Sequence, residues 1–127
     1  MRTYVVDTHT LVWYLANDSR LGAQAEAIMD DTNVRLIVPT IVLAEIKHLA
    51  TRGRFTQNLD DVLRVINADP RCLVYPIDIS VVNIAPTDLD IHDSLIVGVA
   101  LVQSEVVDGI LTRDKAIADT KVVPVIW

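Results

Sequence analysis

Four carboxylates stand where chemistry could be done. Asp7 ends an apolar run, Glu45 lies inside an apolar helical stretch, Asp93 heads another, and Asp114 follows a third run. Asp7, Asp93 and Asp114 each have an ordinary structural use. A carboxylate at a helix start accepts free N–H groups and complements the dipole, which stabilises a helix by about 0.3–1 kcal/mol. Glu45 is harder to explain in that way, because Ile41, Val42, Leu43, Ala44, Ile46 and Leu49 surround it in sequence. A carboxylate in apolar surroundings needs a partner, although periodicity alone also allows it a surface position. Brought within a few ångströms, such groups repel one another, and they either take up protons or hold a cation. Oxygen-only donors favour Mg²⁺ or Mn²⁺ over zinc. A site of that kind activates water and clamps a phosphodiester, commonly with two metals about 3.5–4 Å apart.

Elements that could position these groups follow from the pattern. Tyr4 to Asp7 reads as a buried first strand, followed by a helix over about Thr10 to Ala16 that Asp7 or Thr8 can cap. Asn17-Asp18-Ser19 is turn chemistry, and a second helix runs from about Gly22 to Asp30. Val34 to Val38 is a strand stopped by Pro39. Thr40 is placed to cap a helix from Ile41 to about Thr51, closed by Arg52-Gly53-Arg54. A helix over Leu59 to Asn67 carries Leu59, Val62, Leu63 and Ile66 on one face. Cys72 to Tyr75 is a strand, and Ser80 is expected to cap a short helix through Ile84. The next helix, from about His92 to Ser104, is apolar on more than one face and should be buried. Gly109 to Thr112 is a strand, Arg113-Asp114 opens a short helix, and Val122 to Trp127 is a last strand at a sheet edge because it contains Pro124. Strands alternating with helices predict an α/β fold with a mostly parallel sheet covered on both faces. In open sheets of this type, ligands bind at the C-terminal edge where strand order reverses. A reversal between the first and fourth strands would bring Asp7 and Asp114 out side by side.

The 127 residues suit one domain, 1–127, and 51% of them are hydrophobic, enough for a real core. Aromatics make up only 5%, so that core is aliphatic. The single cysteine, Cys72, excludes an internal disulfide and reads as a small buried residue. Neither a secretory segment nor an apolar run long enough to span a membrane is present, so a cytoplasmic location and no membrane association are expected. A net charge of −6 sits awkwardly with a nucleic-acid binder, unless carboxylates are pooled around cations at one site. The glycines form neither GxGxxG nor a P-loop, which argues against dinucleotide and ordinary nucleotide sites.

Other side chains flank the four acids. Thr8 and Thr112 offer hydroxyls beside the first and last of them, in supporting roles or simply as strand-end and capping groups. Arg113 could meet a phosphate or a protein partner. Lys47, His48, Arg52 and Arg54 form the one basic concentration, suited to a nucleic-acid rim or to a solvated helix end. His9 and His92 adjoin site positions, Asp90 is a capping residue or an auxiliary ligand, and Asp119 lies too far round its helix to join the others. Trp13-Tyr14 reads first as core packing and second as a partner contact.

The ordered set Val-Val-Asp7-Thr-His-Thr-Leu-Val-Trp-Tyr-Leu, Leu-Ala-Glu45-Ile, Ile-His-Asp93-Ser-Leu-Ile, Leu-Thr-Arg-Asp114 and the closing Val-Pro-Val-Ile-Trp127 resembles a PIN domain. More narrowly, it looks like a VapC-type toxin ribonuclease of a toxin–antitoxin pair. The resemblance runs through nearly the whole chain. It implies a three-layer fold around a five-stranded sheet of order 3-2-1-4-5. It also implies that Asp7, Glu45, Asp93 and Asp114 bind Mg²⁺ or Mn²⁺ and carry catalysis. An RNA substrate, a homodimer and a small cognate antitoxin as partner complete the expectation. Three rivals remain on the residues alone. A phosphatase of the haloacid dehalogenase type also opens with an aspartate after strand one, but it needs a second aspartate where His9 stands. A receiver domain lacks its acidic pair after strand one. A PIN-like module that binds RNA or protein without cutting is the third.

Overall fold

The computed structural model describes all 127 residues. Five strands form one parallel sheet: β1 (Arg2–Val6), β2 (Val34–Pro39), β3 (Cys72–Tyr75), β4 (Gly109–Leu111) and β5 (Val125–Ile126), in the order β3-β2-β1-β4-β5. The expected order and its reversal between β1 and β4 are both present. Successive residues Val5-Val6, Leu36-Ile37-Val38 and Ile110-Leu111 are all buried. Alternate residues point to opposite faces of a strand, so both faces are covered. Seven helices supply the cover: α1 (Thr8–Leu15), α2 (Ala23–Asp30), α3 (Thr40–Thr51), α4 (Leu59–Ala68), α5 (Ile79–Ile84), α6 (Ile91–Val102) and α7 (Lys115–Thr120). The core is a continuous, aliphatic cluster of 29 buried residues.

Strand register sets the site. Tyr4 pairs with Gly109, Val5 with Ile110 and Val6 with Leu111. The next residues, Asp7 and Thr112, therefore leave the sheet edge at one level. The Asp7 N–H donates to the Leu111 carbonyl at 3.3 Å, and the Thr10 hydroxyl donates to the same carbonyl at 2.5 Å. Two close approaches lock the surroundings. A Cβ on Gly98 of α6 would stand 3.0 Å from the Val81 carbonyl of α5, so that helix pair packs backbone to backbone. A Cβ on Gly22 would stand 2.5 Å from the Trp127 backbone, which fixes the C-terminal tryptophan against the start of α2.

Two expected caps are corrected. Thr40 lies inside α3, whose N-cap is Pro39; the Thr40 hydroxyl instead accepts the Ile77 N–H at 3.1 Å, 37 residues away. Ser80 lies inside α5, which is capped by Asp78 through the Val81 N–H at 3.0 Å. A strand that ends at Pro39 and turns at once into a helix leaves no free residue for Thr40 to occupy as a cap. At α5 an aspartate two residues earlier is already in place.

Candidate active site

Asp7 is the N-cap of α1. Its Oδ1 accepts the Thr8 N–H at 2.6 Å, and its Oδ2 accepts the Thr112 hydroxyl at 2.5 Å. The Thr112 oxygen in turn accepts the Asp114 N–H at 3.0 Å. One buried threonine thus ties the end of β1 to the start of α7 and fixes the rotamer of Asp7. Asp114 caps α7 through Oδ1, which accepts N–H groups of Ala116 at 2.8 Å and Ile117 at 3.2 Å. Its second oxygen makes no such bond. Asp90 is the N-cap of α6, accepting the Asp93 N–H at 3.1 Å. That leaves the Asp93 side chain free in the first turn of α6.

These groups repel one another. The carboxyls of Asp93 and Asp114 lie within hydrogen-bonding reach. Burial, then the charges of Asp114 and Asp90, then that of Asp7, raise Asp93 to about 7. Burial also raises Asp7, and Asp114 adds to the shift; the bonds from Thr112 and Thr8 and the field of His9 oppose it. Glu45, on α3, is raised by burial and by Asp7, and lowered chiefly by His92. The Thr8 hydroxyl favours the Glu45 charge at long range, yet closes no hydrogen bond of ordinary geometry, although Thr8 is only 1% exposed.

The structure brings Asp7, Asp93 and Asp114 to one edge. Asp7 and Asp114 line a cavity of about 290 Å³ with Thr112, Arg113 and Lys115. Glu45 feels Asp7 but opens onto a neighbouring hollow with His48 and His92. No three His, Cys, Asp or Glu side chains converge closely enough, as they stand, to hold one ion. The donor set nonetheless fits a hard divalent cation by chemistry. It is all oxygen, Asp7, Glu45 and Asp93 resist ionising there, and a buried hydroxyl among them has no partner.

The basic residues separate. Arg113 lies over the Trp13 ring at 4.6 Å while also lining the acidic cavity. Arg54 lines a second cavity beside His9. Lys47 faces a different hollow with Asn58 and Asp60, and Arg52 is exposed at the end of α3. Sequence reasoning missed Arg20, whose guanidinium lies 4.8 Å over the same Trp13 ring. Its only signal was the turn Asn17-Asp18-Ser19 before it, which predicts a local Asp18 contact and nothing about Trp13.

The fold finds a relative among solved structures. A chain in the crystal structure of VapBC2 from Rickettsia felis bound to a DNA fragment from their promoter superposes with a TM-score of 0.70. The match covers 98% of this chain and 97% of that one at 12% identity. No curated protein sequence matches the chain. The family comparison matches residues 4–123 to the PIN domain, from within β1 to the turn before β5. A sheet that reverses between β1 and β4, with aspartates at the ends of both, therefore has its family: the chain belongs to the PIN domain family.

Proposed function

We propose that this chain is a single-domain, divalent-metal-dependent endoribonuclease of the VapC type, the toxin of a toxin–antitoxin pair acting in the cytoplasm. The observation that carries the reading is the meeting of Asp7, Asp93 and Asp114 from three separate elements at the reversal of strand order. Capping accounts for Asp7 and Asp114 one at a time, but it does not account for the raised Asp93 beside them, which a bound cation would. The fold shared with a VapBC2 chain supports an antitoxin as partner, and a homodimer is proposed from the resemblance alone.

Asp7, Asp93 and Asp114 would hold Mg²⁺ or Mn²⁺, with Glu45 completing the acidic set. A bound divalent ion supplies Lewis acidity toward water and phosphate oxygens. Thr112 orients Asp7 by donating to Oδ2, so one carboxylate oxygen stays directed by the protein. Thr8 stands ready to bond Glu45 or a water beside it. Arg113, braced on Trp13, is placed to meet a phosphate at the cavity mouth. Arg54 would extend the cationic track, with Lys47 and Arg52 contributing only long-range attraction.

Cleavage of structured and single-stranded RNA by antitoxin-free protein, with Mg²⁺, Mn²⁺ or EDTA, tests the proposal beside Asp7→Asn. Metal-dependent cutting that Asp7→Asn abolishes is expected. Cutting in EDTA, or a fully active Asp7→Asn, would refute the mechanism. The competing reading is a PIN-like module that binds RNA without cutting it. RNA binding with no cleavage under any metal would decide for it.

A further inference from the structure

Next to the acidic cavity lies a second, about 340 Å³ in volume. Val12, Trp13 and Phe55 give it an apolar floor, and Arg20, Arg54 and Thr56 stand at its polar rim. His9 lines both cavities, and Arg113, from the acidic one, lies on the Trp13 ring that lines this one. The two hollows are therefore neighbours that share His9 as a wall.

Its charge differs from that of the molecule. The chain carries a net −6, yet this hollow gathers Arg20 and Arg54 against Asp18 alone. Asp18 is already held by Arg20 at 2.8 Å, and Arg54 has no carboxylate partner. Arg54 is placed by the end of α3. Gly53 takes φ +71° with open space around it, and the Arg54 N–H donates back to the Leu49 carbonyl at 2.9 Å. That reversal brings Arg54, Phe55 and Thr56 against α1.

We propose that this cavity binds the base and sugar of one nucleotide adjoining the scissile phosphate of single-stranded RNA. The inference rests on the ribonuclease reading and adds a site of sequence selectivity to it. Unpaired bases are read by stacking on aromatic or guanidinium planes and by hydrogen bonds at their edges. The cavity offers both: an apolar floor, the Arg20 guanidinium held 4.8 Å from the Trp13 ring centre, and donors and acceptors at the rim. Its volume is near the lower end for small-ligand sites, about 300–1,000 Å³. It suits one nucleoside and leaves no room for a folded element.

Ala16→Trp tests the pocket by filling it. Ala16 lines the cavity, is exposed, and sits in a right-handed conformation (φ −86°, ψ −3°) that any residue adopts. On an oligoribonucleotide pool with Mn²⁺, the wild type should prefer certain bases at one position beside the cut. Ala16→Trp should lose that preference and about ten-fold in rate on the preferred sequence, with Mn²⁺ affinity unchanged. A preference retained by Ala16→Trp would overturn the pocket. A second measurement does not depend on cleavage. Titrating Asp7→Asn with each of the four ribonucleoside monophosphates should shift the amide resonances of Ala16, Gly53 and Thr56. If no RNA is cut at all, such shifts still uphold the pocket while the ribonuclease reading falls. Absent shifts, or equal shifts from a hexaglutamate peptide, would overturn it and assign the hollow to general anion or protein binding.

Discussion

The two edges of one sheet treat carboxylates in opposite ways. At the N-terminal edge Asp69 and Asp108, beside the starts of β3 and β4, have matched partners. Asp69 holds Arg71 at 2.8 Å, and the same guanidinium donates to the carbonyls of Met29 at 2.7 Å and Asp31 at 2.6 Å. Asp108 accepts the Thr3 N–H at 2.8 Å, and the Asp108 N–H returns to the Thr3 carbonyl. At the C-terminal edge no salt bridge meets the acids: Asp7 and Asp114 accept only N–H and hydroxyl groups, and the charge of Asp114 adds to the burial that raises Asp7 and Asp93. Arg71 holds Asp69 below the usual carboxylate range, while Asp7, Glu45 and Asp93 are all pushed above it. One edge ties the chain together; the other keeps unspent repulsion that a cation would relieve.

Substitutions should separate the edges. The largest effect is expected from Asp7→Asn, with cleavage falling by more than about 100-fold, since even residues that only support a metal ligand cost 10–100-fold. Its folding, followed by urea denaturation, should be no weaker than the wild type's. Arg71→Ala should do the reverse. It strips one carboxylate and two carbonyls of their donor and should cost about 2–3 kcal/mol in urea denaturation, with cleavage per folded molecule unchanged. Equal loss of activity in both variants would erase the distinction between the edges. Thr112→Val sits between these cases. It removes the hydroxyl that orients Asp7 and should lower cleavage about ten-fold, with a matching loss of metal affinity by calorimetry.

The smallest effect is on pH dependence. Asp93 ionises near 4 in an unfolded chain and near 7 in the fold. The fold therefore binds the extra proton, and this contribution, fully present below about pH 4, is lost as pH rises toward 7. Asp69 has the opposite sign: its contribution is present at neutral pH and lost as pH falls. Metal-free Asp93→Asn should melt above the wild type at pH 8, with the gap closing at pH 4 and also on adding Mg²⁺ at pH 8. A gap that stays constant with pH would mean that Asp93 is not held by its acidic neighbours.

Much of this was legible from residues. Val5-Val6 and Ile110-Leu111 announce strands, and Asp7 and Asp114 follow them directly, so any parallel pairing of those strands joins the two acids. The strand order came from family resemblance. Local propensity cannot choose which strands pair. Caps were read less well, because Asp78 and Ser80 are equally good capping types and only backbone geometry decides between them. Lys47, Arg52 and Arg54 are neighbours in sequence, but α3 ends at Thr51 and the chain reverses at Gly53, which sends them apart. The stack of Arg20 and Arg113 on Trp13 joins segments distant in the chain, and no local pattern encodes it.

The bond from Thr112 to Asp7 spans 105 residues. During synthesis at about 5–20 residues per second, Asp7 waits about 5–20 s for the hydroxyl that orients it. Asp93 and Asp114 also emerge late. A truncated or still-growing chain carries β1 and its aspartate but no assembled acidic edge. If the chain cuts RNA, the fold keeps that activity from existing until the segment that carries Thr112 and Asp114 has been translated.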